Sequence, residues 1–250
     1  MYLVGNWKMI GDRAYARRHM SAITHAVRAM PQDGRITVIH CPPAIWLTDL
    51  AAITQKSPVA LGAQDCHHEA KGAFTGDLSP YMLREAGCRY VIVGHSERRT
   101  MHHEDDTLIG RKARAAIEAG MQPILCVGES AQQRHEGHYL DIIMQQLDHI
   151  LSFIGERNTL LIAYEPMWAI GAGRTPHMEE IDEVCTIIRY HVKNRGILAP
   201  SVLYGGSVRG CNSSEILNLS SVDGVLVGLA STQLHEWTEI MKAAIDITYS

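Results

Sequence analysis

The chain has 250 residues, 46% of them hydrophobic, and a formal net charge of −4, which provides for a large core and leaves no basic field to hold a nucleic acid. No apolar run is long enough to span a bilayer and Met1–Lys8 has none of the parts of a secretion signal, so a cytoplasmic protein without membrane association is expected. The six cysteines stand singly, and the histidine-rich stretches Cys66–Glu69 and His102–Glu104 read as solvated surface with diverging side chains; reduced thiols and no bound metal are expected.

Eight strand-like apolar runs follow one another: Tyr2–Lys8, Ile36–Cys41, Val59–Ala63, Tyr90–Val93, Gln122–Val127, Thr159–Tyr164, Ser201–Tyr204 and Val225–Val227. Between them lie helical stripes such as Met20, Ile23, Val27 and Met30, then Ile109, Ala113, Ala116 and Ile117, then Ile142, Ile143, Leu147, Ile150 and Leu151. Parallel pairing demands such crossovers, and eight strands over about 250 residues close into an α/β fold of the (β/α)₈ barrel type. Residues 1–250 are therefore read as a single barrel domain. A doubly wound open sheet is the alternative, but no G-x-G-x-x-G follows the first strand. After the sixth strand, Thr175 and Pro176 predict a helix start, Ile181, Val184, Ile188 and Val192 its buried stripe, and Gly196 its end.

In such a barrel the site lies at the carboxyl ends of the strands. The sixth strand delivers Glu165 there, Pro166 restricts it to an extended backbone, and Gly171-Ala172-Gly173 provide a segment free to change its angles. That reads as a catalytic carboxylate with a lid, or as an ordinary strand-to-helix turn with a solvated glutamate. The first strand ends in Asn6-Trp7-Lys8, placing Lys8 at the mouth or on the surface. The fourth delivers His95-Ser96-Glu97, where a short helix would keep the imidazole a neutral donor; a charged helix start or a structural histidine fits equally. Gly205-Gly206-Ser207 and Gly228-Leu229-Ala230-Ser231 at the last two strands outline a backbone phosphate site, or are turn-forming glycines after strands.

These pieces, with Gly72-Ala73-Phe74-Thr75-Gly76 and Cys126-Val127-Gly128-Glu129, resemble the triosephosphate isomerase family over essentially the whole chain. That family is a known case of a glutamate base paired with a neutral histidine. The resemblance implies interconversion of dihydroxyacetone phosphate and glyceraldehyde 3-phosphate without a metal or organic cofactor. It implies that Glu165 is the base, His95 the proton donor to the substrate oxygens, Lys8 a fixed positive charge and Asn6 its ordering neighbour. Glu97 is the family's second carboxylate beside Lys8. Phosphate would be held by the Gly171 N–H, Ser207, and the N–H groups of Gly228 and Leu229, with Tyr204 supporting the closed lid. Cys126 reads as packing under the catalytic strand. The loop of residues 64–77 would dock into a second subunit, with Thr75 reaching the partner's site, which implies a homodimer.

Five positions depart from the family pattern: Ile10, Asp65, Asp77, Ala172 and Leu229. Leu229 stands where the pattern has the second of two consecutive glycines. Two other functions are compatible with the architecture: an isomerase for another short ketose phosphate, such as erythrulose phosphate, and a catalytically silent phosphate-ligand binder. The presence of Asn6, Lys8, His95 and Glu165 together argues against silence, because binding alone has no use for a base opposite an electrophile.

Overall fold

The computed structural model describes residues 1–170 and 176–250, apart from the side chain of Asn158. Its strands are β1 (Tyr2–Asn6), β2 (Thr37–Cys41), β3 (Ala60–Ala63), β4 (Cys88–Val93), β5 (Gln122–Val127), β6 (Arg157–Tyr164), β7 (Ile197–Tyr204) and β8 (Gly224–Val227). Its helices, among the described residues, are α1 (Arg13–Arg28), α2 (Leu47–Thr54), α3 (Pro80–Glu85), α4 (Ser96–Met101), α5 (Asp106–Glu118), α6 (Ala131–His135), α7 (Tyr139–Ile154), α8 (Met178–Asn194), α9 (Gly210–Leu217) and α10 (Leu234–Tyr249). Every strand pairs in parallel with its sequence neighbours, and β1 pairs with β8 from Tyr2↔Gly224 to Gly5↔Val227, which closes the (β/α)₈ barrel. A Cβ at Gly224 would stand 1.9 Å from the Tyr2 carbonyl oxygen, so the closing strand begins on the residue that admits this approach.

The apolar residues sort into two cores by strand alternation. Val4, Ile39, Ile92, Ile124, Cys126, Leu161, Ala163, Leu203 and Leu226 fill the barrel. Their neighbours Leu3, Val91, Val93, Leu125, Ile162, Val202 and Val225 face outward onto the helices. The same period sets the rim: Trp7 continues the outward row of β1 and is fully buried against the helices. Glu165 continues the inward row of Leu161 and Ala163 and lines the cavity at the mouth.

Three expectations differ in detail. β1 ends at Asn6, and Lys8 reaches the mouth by a left-handed turn at φ 52° where a continued strand was expected. Strands β6 and β7 begin earlier than their apolar runs, because Arg157↔Ile197 and Thr159↔Ala199 pair below the barrel where exposed residues are tolerated. Helix α8 starts at Met178, capped by His177, whose backbone N–H donates to Glu180 Oε2 at 2.9 Å. Pro176 therefore precedes the cap, and the expected cap Thr175 lies outside the described residues. The stripe Ile181, Val184, Ile188 and Val192 is fully buried, as its spacing required.

Candidate active site

The carboxyl ends of β1, β4, β6, β7 and β8 surround a cavity of about 410 Å³. Asn6, Lys8, His95, Glu97, Glu165, Ser207, Gly228 and Leu229 all line it. Gly171 lies outside the described residues.

Glu165 is only 2% exposed. Its backbone N–H continues the ladder to the Val127 carbonyl at 2.8 Å, and a Cβ on Gly128 would stand 1.8 Å from the Glu165 carbonyl oxygen. On the other flank the Gly205 N–H donates to the Tyr164 carbonyl at 2.8 Å, and a Cβ on Gly205 would meet Glu165 Cγ at 2.9 Å. Two glycines thus leave the room that this residue occupies, Gly128 for its backbone carbonyl and Gly205 for its side chain. Oε2 accepts the Ser96 backbone N–H at 2.9 Å, and Oε1 lies 3.1 Å from His95 Nε2. Cys126 is fully buried beneath it. Burial first, and the Glu165 carboxylate second, push that thiol far above its ordinary range, so it is a protonated packing group.

His95 is the N-cap of α4, and its Nδ1 accepts the Glu97 backbone N–H at 3.2 Å. A nitrogen that accepts holds no proton, so the ring proton sits on Nε2 and faces Glu165.

Lys8 Nζ donates to Glu97 Oε1 at 2.5 Å. Its left-handed backbone is held on both sides: the Lys8 N–H donates to Asn6 Oδ1 at 3.0 Å, and Gln64 Nε2 donates to the Lys8 carbonyl at 2.7 Å and to Cys41 O at 3.0 Å. Gln64 was singled out from sequence only as the start of the docking loop; an amide at the end of an apolar run carries no local sign of the carbonyls it will meet. From sequence, Glu129 belongs only to the motif Cys126–Glu129 and is given no role. It is fully buried, accepts Trp168 Nε1 at 2.7 Å and the Tyr164 hydroxyl at 3.1 Å, and its carbonyl accepts the Met167 N–H at 3.1 Å. It therefore fixes the segment leading to residues 171–175. Burial raises its carboxyl above the ordinary value against the pull of those donors.

Across the cavity, Gly228 and Leu229 begin a right-handed turn, Leu229–Thr232. Leu229 takes no positive φ and its side chain is 54% exposed. A Cβ on Gly228 would come within 3.2 Å of Lys8 Cε. The Tyr204 hydroxyl is buried with no partner among the described residues, and burial raises its pKa well above the ordinary phenol value.

Glu104 requires a correction. Read as solvated surface, it is buried, bonded at Oε1 to Arg98 Nε at 2.5 Å and to Lys112 Nζ at 2.6 Å. Its partner Lys112 comes from the next helix and is equally hidden, so neither member advertises the pair in the sequence.

Comparison with known proteins agrees with this geometry. A family model described as triosephosphate isomerase matches residues 1–244. The triosephosphate isomerase of Nitrosococcus oceani is 42% identical over 248 residues, covering 97% of this chain and 98% of that one. Those of Bordetella pertussis (43% over 242 residues, 96% of each chain) and Xylella fastidiosa (38% over 248 residues, 97% and 98%) are similarly close. A closed eight-stranded barrel, this rim, and matches of that extent place the chain in the triosephosphate isomerase family.

Proposed function

We propose that this protein interconverts dihydroxyacetone phosphate and glyceraldehyde 3-phosphate by proton transfer through an enediolate. The observation that carries the reading is the buried Glu165 carboxylate facing the Nε2–H edge of His95 at 3.1 Å inside one cavity. Glu165 takes the proton from the carbon beside the carbonyl, and His95 donates to the oxygen on which charge develops. Lys8, oriented by Asn6 and paired with Glu97, supplies fixed positive charge beside that oxygen. Because Glu165 Oε2 accepts the Ser96 N–H, the carboxylate has to release that bond to reach a substrate carbon. Ser207 and the N–H groups of Gly228 and Leu229 hold the phosphate, and closure of the segment containing Gly171 over it excludes water from the enediolate. Tyr204 supports that closed segment. The scheme draws on side chains and backbone alone.

Turnover of glyceraldehyde 3-phosphate beside erythrulose phosphate, with metal-stripped protein, tests the reading. The triose phosphate is expected to be the better substrate. Strong preference for the four-carbon compound would replace the substrate assignment, and turnover of neither would favour a silent binder.

We infer further that residues 1–250 act as one domain in the cytoplasm and that two copies pair through residues 64–77. Support comes from exposed apolar side chains in the connections that follow β1 to β4: Met9, Ile45, Phe74, Tyr81, Met82 and Met101. Four successive connections carrying uncovered apolar surface fit a partner seated on that flank. No described helix is long and apolar enough to cross a membrane. A bulky charged residue at Thr75 is expected to lower activity and weaken the dimer, as read by sedimentation; a fully active monomer would remove the inference.

A further inference from the structure

We propose that Arg209 is a substrate-binding residue that makes this cavity electrostatically acceptable to a phosphate dianion, an inference that rests on the triose phosphate reading. Among the described residues lining the cavity, the formally charged side chains are Lys8, Glu97, Glu165 and Arg209. Lys8 is 2.5 Å from Glu97, so that pair adds no net formal charge although its ammonium lines the cavity. Glu165, 2% exposed, then brings the described lining without Arg209 to a formal charge of −1, in a site for a ligand that itself carries about −1.5 to −2 near neutral pH. With Arg209 the formal charge of the described lining is zero.

The placement of Arg209 is pinned. It stands two residues beyond Ser207 and caps α9. Its N–H donates to Asn212 Oδ1 at 2.8 Å, and Asn212 Nδ2 donates back to the Ser207 carbonyl at 2.9 Å, so the turn that launches the side chain is closed on itself. The neighbouring carboxylate Glu236 is occupied by the Gly210 N–H at 2.6 Å. Among the described residues the Arg209 side chain is exposed and its guanidinium has no ion-pair partner. Ser207, Gly228 and Leu229 line the same cavity, and Leu229 contributes no polar side-chain atom to it. A guanidinium there offers paired N–H groups to phosphate oxygens as well as charge.

The test compares the parent with Arg209→Gln and Arg209→Lys at low and high ionic strength, using glyceraldehyde 3-phosphate turnover and calorimetric titration with inorganic phosphate. In Arg209→Gln, KM and the phosphate Kd should both rise about fivefold or more at low salt, while kcat falls much less. That difference should shrink as salt screens the charge, and Arg209→Lys should recover part of it. A role confined to shaping the turn would give losses indifferent to salt and to the lysine replacement, and would overturn the proposal. Parent-like KM and phosphate affinity in Arg209→Gln at low salt would do the same. The titration needs no turnover: a parent that binds phosphate through Arg209 yet isomerises nothing would refute the enzymatic reading and leave this one standing.

Discussion

Leu229 breaks the family pattern without a positive φ in the backbone that would supply its N–H. A backbone N–H is the same donor in leucine as in glycine, and strain would follow only if the position required a positive φ. Among the described non-glycine residues only Lys8 and His103 adopt one, and Leu229 instead opens a right-handed turn with its side chain largely in solvent. Leu229→Gly is accordingly expected to change kcat/KM for glyceraldehyde 3-phosphate by less than about tenfold, equivalent to ~1.4 kcal/mol. An inactive parent rescued by the glycine would contradict this. Lys8 is the opposite case, since its left-handed backbone is held by Asn6 and Gln64. Asn6 is the local half of that turn, and the other half, an amide 56 residues away, has no sign in Asn6-Trp7-Lys8.

At the scale of elements, α4 and α5 are joined by a buried ionic cluster that no local pattern announces. Lys112 of α5 donates to both Asp65 oxygens at 2.8 Å and to Glu104 Oε1 at 2.6 Å, while Arg98 of α4 meets Glu104 at 2.5 Å and Asp65 at 2.9 Å. Burial works against the charge on both acids. At Glu104 the Lys112 and Arg98 cations prevail and its carboxyl is held below the ordinary value, whereas at Asp65 burial prevails and raises it. Removing Lys112 leaves two carboxylates to share Arg98 alone, so Lys112→Met is expected to cost about 3–5 kcal/mol in urea unfolding. A loss under ~1 kcal/mol would show that solvent reaches the cluster.

The strands, by contrast, were legible from sequence because a parallel barrel buries both faces of each strand and so writes continuous apolar runs. Glu165 and His95 were legible for the same reason, as polar residues placed where such runs stop. The start of α8 was misplaced because Thr175-Pro176 is a sound signal locally, yet the reciprocal His177–Glu180 cap lies just beyond it.

At the scale of the whole molecule, stability should be tied to pH through a histidine with no part in the reaction. His40 is fully buried between β1 and α10, accepting Trp7 Nε1 at 2.9 Å on Nδ1 and packing edge-on against Trp237. Burial, helped by nearby His19, holds its pKa well below the ordinary value of 6.5. Above that value neither folded nor unfolded chain binds the proton. As pH falls through it the unfolded chain does and the folded chain does not, so stability declines by about 1.4 kcal/mol per pH unit from this group until the folded pKa is reached. Burial lowers His19 too, with the same sign. Urea midpoints at pH 7.5 and 5.5 should therefore separate less in His40→Leu than in the parent, although the variant is weaker at pH 7.5 because the Trp7 N–H loses its acceptor. An unchanged separation would assign the acid sensitivity elsewhere.

The proposed isomerisation depends on Glu165 acting on a carbon-bound proton, with the barrel, the two flanking glycines and His95 arranged around it. The most direct measurement is steady-state kinetics of Glu165→Gln, a near-isosteric change, with glyceraldehyde 3-phosphate. The account predicts a kcat lower by at least about 10²-fold, the low end for loss of a general base, with KM far less altered. Turnover equal to that of the parent would contradict it.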